Sequence, residues 1–154
     1  MKLLVTGATS GIGRATCVRL LAEGNEVFGV GRHLEKFPCD HVRYHGASLD
    51  LADLSKLPAR LKELVEMVGT PEGLVCNAGV GRFGELEQFS YAQISELIDL
   101  NFTSHAFLVR AFLPLMKRAG TGRVLFVGSE AALQGTQKGA VYCASKFALR
   151  GFAQ

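Results

Sequence analysis

The sequence predicts an α/β protein built on a doubly wound parallel sheet with helices on both faces, and three observations predict it. Short apolar runs at Lys2–Val5, Val27–Val30, Leu74–Cys76 and Val124–Val127 have the length and composition of buried strands. Segments of helical periodicity separate them, the pattern of right-handed β-α-β units. The first run leads into a glycine turn, Thr6-Gly7-Ala8-Thr9-Ser10-Gly11-Ile12-Gly13, that opens a helix.

The elements follow in order. Residues Ile12 to Glu23 suit a helix, and Gly24 stops it. Val27–Val30 is the second strand, followed by Gly31, Arg32 and a polar loop through Asp40. His41–His45 alternates weakly and is assigned as the third strand, ahead of Ser48-Leu49-Asp50-Leu51. Pro58 suits a first helical turn, and Leu57, Leu61, Leu64, Val65 and Val68 form one apolar stripe, so an amphipathic helix is expected there. Leu74–Cys76 is a short buried strand running into Asn77-Ala78-Gly79. Ser90 and Gln93 make a capping box for a long helical stretch, expected as two helices meeting near Asn101 and Phe102. Pro114 should kink the second of these or mark its last turns. The fifth strand, Val124–Val127, is apolar on both faces, and a loop from Ser129 to Gly139 leads to a last helix. There is no repeat, linker or low-complexity segment, so residues 1–154 form one domain.

Composition narrows the chemistry. Apolar content is 48%, charged content 20% and net charge +3, with Lys and Arg scattered rather than clustered, which argues against nucleic acid as a partner. Cys17, Cys39, Cys76 and Cys143 lie far apart, and the four histidines have no metal-ligand spacing, so no metal site is expected. No apolar run approaches the length needed to cross a bilayer, and the first strand starts too early for a signal peptide. A cytoplasmic protein with reduced thiols and no membrane partner is expected.

Two constellations carry chemistry. A glycine turn between strand and helix sets the free N–H groups and positive dipole end of the helix under an anion, and a dinucleotide pyrophosphate is the leading candidate. The candidate contacts are Gly7, Thr9, Ser10, Gly11, Ile12 and Gly13. The second constellation is Ser129, Tyr142 and Lys146. Tyr142 and Lys146, four apart on a helix, share a face, so the ammonium can favour the ionised phenol. Such a phenol exchanges a proton with a carbonyl or alcohol oxygen. Ser129, thirteen residues before Tyr142 at the end of the fifth strand, can hydrogen-bond the same oxygen.

Together these motifs resemble the short-chain dehydrogenase/reductase family over all 154 residues. Thr6-Gly7-x-x-x-Gly11-x-Gly13 is similar to its cofactor motif, and Asn77-Ala78-Gly79 to its element after strand four. Asn101, Ser129, Tyr142 and Lys146 are similar to its catalytic tetrad, and Asp50-Leu51 to the pair that holds adenine. The resemblance implies a Rossmann-like three-layer sandwich and an NAD(P)(H)-dependent oxidoreductase acting on a small carbonyl or alcohol. It implies Tyr142 as general acid and base, Lys146 on the phenol and the nicotinamide ribose, Ser129 on the carbonyl, and Asn101 in a water-linked proton path to Lys146. It also implies a dimer or tetramer built through the last two long helices, where Phe107, Phe112 and Phe147 belong either to that contact or to the interior of the subunit.

Cofactor choice follows from the end of strand two. An acidic residue there would hold a ribose 2′-OH, but this chain has Gly31 and then Arg32, which suits a 2′-phosphate. NADP(H) is therefore expected over NAD(H), with Arg14 as a possible helper. The chain departs from the family at Cys76, where many members have asparagine, and at Gly128, where many have serine. Phe83 belongs either at the active-site mouth or in the core. The chain stops at Gln154, inside the Tyr-bearing helix, whereas full-length members continue with two strands and the substrate-binding loop and helix. The fifth strand is then expected as an uncovered edge, whether the chain is incomplete, truncated or covered by an assembly partner. The competing expectation is a dinucleotide-binding module without turnover. A Rossmann-like methyltransferase gives no reason for Ser129, Tyr142 and Lys146 to occur together.

Overall fold

The computed structural model describes residues 1–154. Five parallel strands form one sheet: β1 (Lys2–Thr6), β2 (Glu26–Gly31), β3 (Tyr44–Ser48), β4 (Gly73–Cys76) and β5 (Arg123–Phe126), in the order β3-β2-β1-β4-β5. The helices are α1 (Gly11–Ala22), α2 (Leu57–Val68), α3 (Tyr91–Ile98), α4 (Ser104–Ala119) and α5 (Ala140–Ala153). From β1 the chain winds outward through β2 to β3, then crosses back to β4 on the other side of β1. The C-terminal ends of β1 and β4 are therefore where the winding reverses, the place where open α/β sheets bind ligands. Leu4 pairs with Leu74 and Val5 with Val75 across that seam.

Side chains alternate across the sheet and fill a core on each face. Leu4, Phe28 and Leu74 pack with the predicted stripe Leu57, Leu61, Leu64 and Val68 of α2 and with Leu108, Phe112 and Met116 of α4. Val5 and Val27 face the other way, against Cys17 and Leu21 of α1 and Phe37.

One expectation is corrected. The third strand lies at Tyr44–Ser48, three residues later than assigned. Its register pairs Val27 with Tyr44 and Gly31 with Ser48, which buries Ala47, while His41 closes a turn by accepting the Tyr44 N–H at 2.8 Å. Core fit outweighed the β propensity of Val42, which is exposed. β5 is the uncovered edge expected from the sequence: Val124 and Phe126 pack inward, and Leu125 is 57% exposed. Pro114 falls within the last two turns of α4, which runs on to Ala119, and it lies on the exposed side. Phe112 has no exposed surface, so it belongs to the subunit core and not to a contact between subunits.

Candidate active site

The site is built from the β1–β4 seam. Thr6, the last residue of β1, is fully buried, and its Oγ1 accepts the N–H groups of Asn77 at 2.9 Å and Ala78 at 3.0 Å. The Asn77 side-chain amide donates back to the Thr6 carbonyl at 2.9 Å. Gly7 and Gly11 have φ of +67° and +50°, the left-handed region that favours glycine. A Cβ on Gly7 would come within 2.8 Å of Asn77 Nδ2, and one on Gly13 would strike the Gly7 carbonyl oxygen. The first intrahelical bond of α1 runs from the Arg14 N–H to the Ser10 carbonyl at 3.1 Å. The N–H groups of Gly11, Ile12 and Gly13 therefore have no helical acceptor, as an anion cradle requires.

Two adjoining lobes of one groove meet at this turn, sharing Gly7, Ser10, Ala78, Gly79 and Val80. The first, about 250 Å³, is lined also by Thr9, Gly31, Arg32, Asp50 and Leu51. The second, about 400 Å³, adds Gly11, Ile12, Asn77, Gly128, Tyr142 and Lys146. All the cofactor-binding candidates except Gly13 thus line one surface, and buried Gly13 supports it from behind. Asp50 Oδ1 accepts the Ala52 N–H at 3.0 Å, which leaves its second oxygen free, and Leu51 is buried beside it. A Cβ on Gly31 would meet the Thr9 methyl at 2.8 Å. Arg14 lies outside the lining, its guanidinium 5.3 Å from the centre of the Phe37 ring.

The catalytic candidates are placed by α5 and by a π-helical segment, Asp99–Thr103, between α3 and α4. Lys146 is 5% exposed, donates to the Val127 carbonyl at 3.0 Å and sits 5.9 Å from the centre of the Tyr142 ring. Burial without a paired carboxylate pulls its pKa below the usual lysine range. Asn101, in the π segment, is fully buried. Its amide accepts the Val80 N–H and donates to the Val80 carbonyl, both at 2.9 Å, and donates to Ser145 Oγ at 3.0 Å. The side chain thus holds other parts of the site and makes no hydrogen bond to Lys146. Ser129 caps a short 3-10 turn, Glu130–Ala132, with its Oγ accepting the Ala131 N–H at 3.2 Å; it makes no hydrogen bond to Tyr142. Cys76 is fully buried, and burial pushes its thiol up to about 12, so it packs as an apolar residue. No group of metal-ligating side chains is present.

The family model for short chain dehydrogenases matches residues 2–154. The chain belongs to the short-chain dehydrogenase family. It is 36% identical to human 17-beta-hydroxysteroid dehydrogenase type 1, covering 99% of this chain and 50% of that protein. Among solved structures, a short-chain dehydrogenase from Streptomyces avermitilis matches with a TM-score of 0.91 at 30% identity, covering 97% of this chain and 58% of that one. A metagenomic short-chain oxidoreductase in complex with NADP matches at 0.89 and 32% identity, covering 97% and 70%. The chain spans about half the length of the curated relatives it matches most strongly.

The structure also brings in residues that the sequence did not single out. His33 and Lys36 line the first lobe with Arg32; their signal was a further cation and an imidazole within five residues of Gly31. Ser145, fully buried, donates to the Tyr142 carbonyl at 2.7 Å and links α5 to Asn101. His105 gave no sequence signal, as one histidine on the apolar face of α4. It is 1% exposed, with Nε2 2.8 Å from the Ala78 carbonyl. A carbonyl only accepts, so in the neutral ring Nε2 carries the proton; Nδ1 is buried without a partner. Burial lowers the His105 pKa from 6.5 to about 4, and the Lys146 charge adds to the shift against the opposing effect of the Ala78 bond.

Between these values the unfolded chain takes up a proton that the native ring refuses, so native stability falls with pH. The loss begins near pH 6.5, reaches about 3 kcal/mol near pH 4 and is flat below it. Urea unfolding at pH 7 and pH 4.5 is expected to show most of this loss in the wild type and a loss smaller by about 2 kcal/mol in His105→Gln. Equal losses in both proteins would contradict the assignment.

Proposed function

We propose that this protein is an NADP(H)-dependent oxidoreductase that moves hydride between the nicotinamide and a small-molecule carbonyl or alcohol. One observation carries the reading: Tyr142 and Lys146 line the same lobe as the free N–H groups at the start of α1. The glycine cradle, the neutral Gly31, the cations Arg32 and Lys36 and the His33 ring on the first lobe fit a dinucleotide with a 2′-phosphate. The NADP complex of a structural relative supports that choice. When bound, the cofactor supplies or accepts the hydride.

The chain's own residues do the rest. Tyr142 gives a proton to the carbonyl oxygen in reduction and takes it back in oxidation. The Lys146 ammonium, held by Val127 beside the Tyr142 ring, stabilises the phenolate that forms. Ser129 accepts from Ala131, which leaves its O–H free to donate to the substrate oxygen. Asn101 acts through the Val80 backbone and Ser145, fixing the groove wall against α5. Asp50 and Leu51 hold the adenine end and Asn77, Ala78 and Gly79 form the wall between the lobes. The same reading takes the protein as a cytoplasmic homo-oligomer, a dimer or tetramer, and its four unpaired thiols and the exposed Phe147 on α5 support it. No helix is long and apolar enough to cross a membrane. A dinucleotide-binding module without turnover is the competing reading.

Titration with NADPH followed by an assay on ketones and aldehydes separates the two. Turnover is expected, falling at least about a hundredfold in Tyr142→Phe, in line with loss of a general acid. Binding without turnover would favour the module, and full activity in Tyr142→Phe would overturn the role of the phenol. For the cofactor, Arg32→Ala is expected to raise the NADPH dissociation constant by roughly 10- to 100-fold, the loss of a charged hydrogen bond, and to change NADH binding little. An equal effect on both cofactors would sink the preference for NADP(H).

A further inference from the structure

We propose that Phe83 is a specificity-determining residue, an apolar wall beside Tyr142 that selects neutral carbonyl substrates bearing a flat, apolar ring next to the carbonyl. The inference rests on the oxidoreductase reading above and extends it to the class of substrate.

Phe83 does not pack in the core. Its ring centroid lies 5.3 Å from that of Tyr142, tilted by 56°, while 58% of the residue remains exposed. The ring therefore borders the space beside the phenol that would meet the substrate oxygen. Its surroundings keep it there. A Cβ on Gly81 or on Gly139 would come within 3.3 Å of the Phe83 ring, so both flanking positions stay bare. The Gly84 N–H donates to the Lys138 carbonyl at 2.8 Å, and the Lys138 ammonium lies 3.5 Å from Glu85. Lys138 has φ of +58°, the one non-glycine residue in the left-handed region. Backbone strain of this kind persists where the surroundings hold it, often beside functional sites. The loop bearing Phe83 and the loop that leads into α5 are thus clasped together, which fixes the Phe83 ring relative to Tyr142.

The charge pattern narrows the substrate. Arg82, the neighbour of Phe83, faces Glu96 of α3 at 3.6 Å, and Lys138 faces Glu85. Both local cations thus have a carboxylate nearby, which lowers their pull on an acidic substrate. The half-exposed ring face favours an aromatic or fused-ring group over a small polar one, through offset or edge-to-face contact and apolar burial.

The test uses the purified protein with NADPH and two neutral ketones, 2-acetylnaphthalene and butanedione, on wild type, Phe83→Ala and Phe83→Tyr. The ratio of kcat/KM for the naphthyl ketone over butanedione is expected to fall about tenfold in Phe83→Ala, chiefly through KM, and to stay within about twofold of wild type in Phe83→Tyr. An unchanged ratio in Phe83→Ala, or an equal fall in Phe83→Tyr, would overturn the wall. A wild type that binds NADPH but reduces neither ketone would overturn the oxidoreductase reading itself, and the substrate class with it.

Discussion

One buried hydroxyl sets the geometry of this site. Thr6 Oγ1, at the end of β1, accepts two backbone N–H groups from the start of the segment that leaves β4. Removed from water, those two N–H groups would carry a desolvation penalty unless partnered, so the hydroxyl holds the two strand ends together where the sheet's winding reverses. That closeness leaves no room for side chains. Glycine at positions 7 and 13 follows from it, because a Cβ at either position would collide with the opposing backbone or with Asn77. The free N–H groups of α1 are left at the edge of the resulting groove.

The segment Asn77–Val80 is then the wall common to both lobes, and three buried polar side chains hold it. Thr6 fixes its start, His105 holds the Ala78 carbonyl from below, and Asn101 pairs with both backbone groups of Val80. Asn101 also reaches Ser145, so the same wall is tied to the helix that carries Tyr142 and Lys146. The glycine turn and the Tyr142–Lys146 pair are thereby set relative to one another by hydrogen bonds within about one stretch of four residues. The π-helical segment that carries Asn101 fits this arrangement, since such segments are frequent at functional sites.

Much of this was legible in the sequence. The strand and helix order followed from apolar runs and the α2 stripe, because buried parallel strands and amphipathic helices need those patterns. The glycine turn and the Tyr142–Lys146 pair were legible because each acts over a few residues. What escaped notice acts over long separations. Thr6 and Asn77 are 71 residues apart, and His105 and Ala78 are 27 apart, so neither residue signals its partner. The third strand was misplaced because Tyr44–Ser48 is held by register with β2 and by burial of Ala47, with little β propensity of its own. Phe112 and Phe83 show the same limit for aromatics: one fills the core and the other lies half in solvent beside Tyr142. Periodicity does not distinguish those fates.

The dependence of the proposed cofactor cradle on the Thr6 hydroxyl is tested most directly by calorimetric titration of NADPH into Thr6→Val and Thr6→Ser. Valine keeps the side chain's branching and removes the acceptor, leaving two buried N–H groups unpaired. The expected result is a folded protein with an NADPH dissociation constant raised at least about tenfold in Thr6→Val and within about threefold of wild type in Thr6→Ser. Wild-type affinity in Thr6→Val would contradict the account.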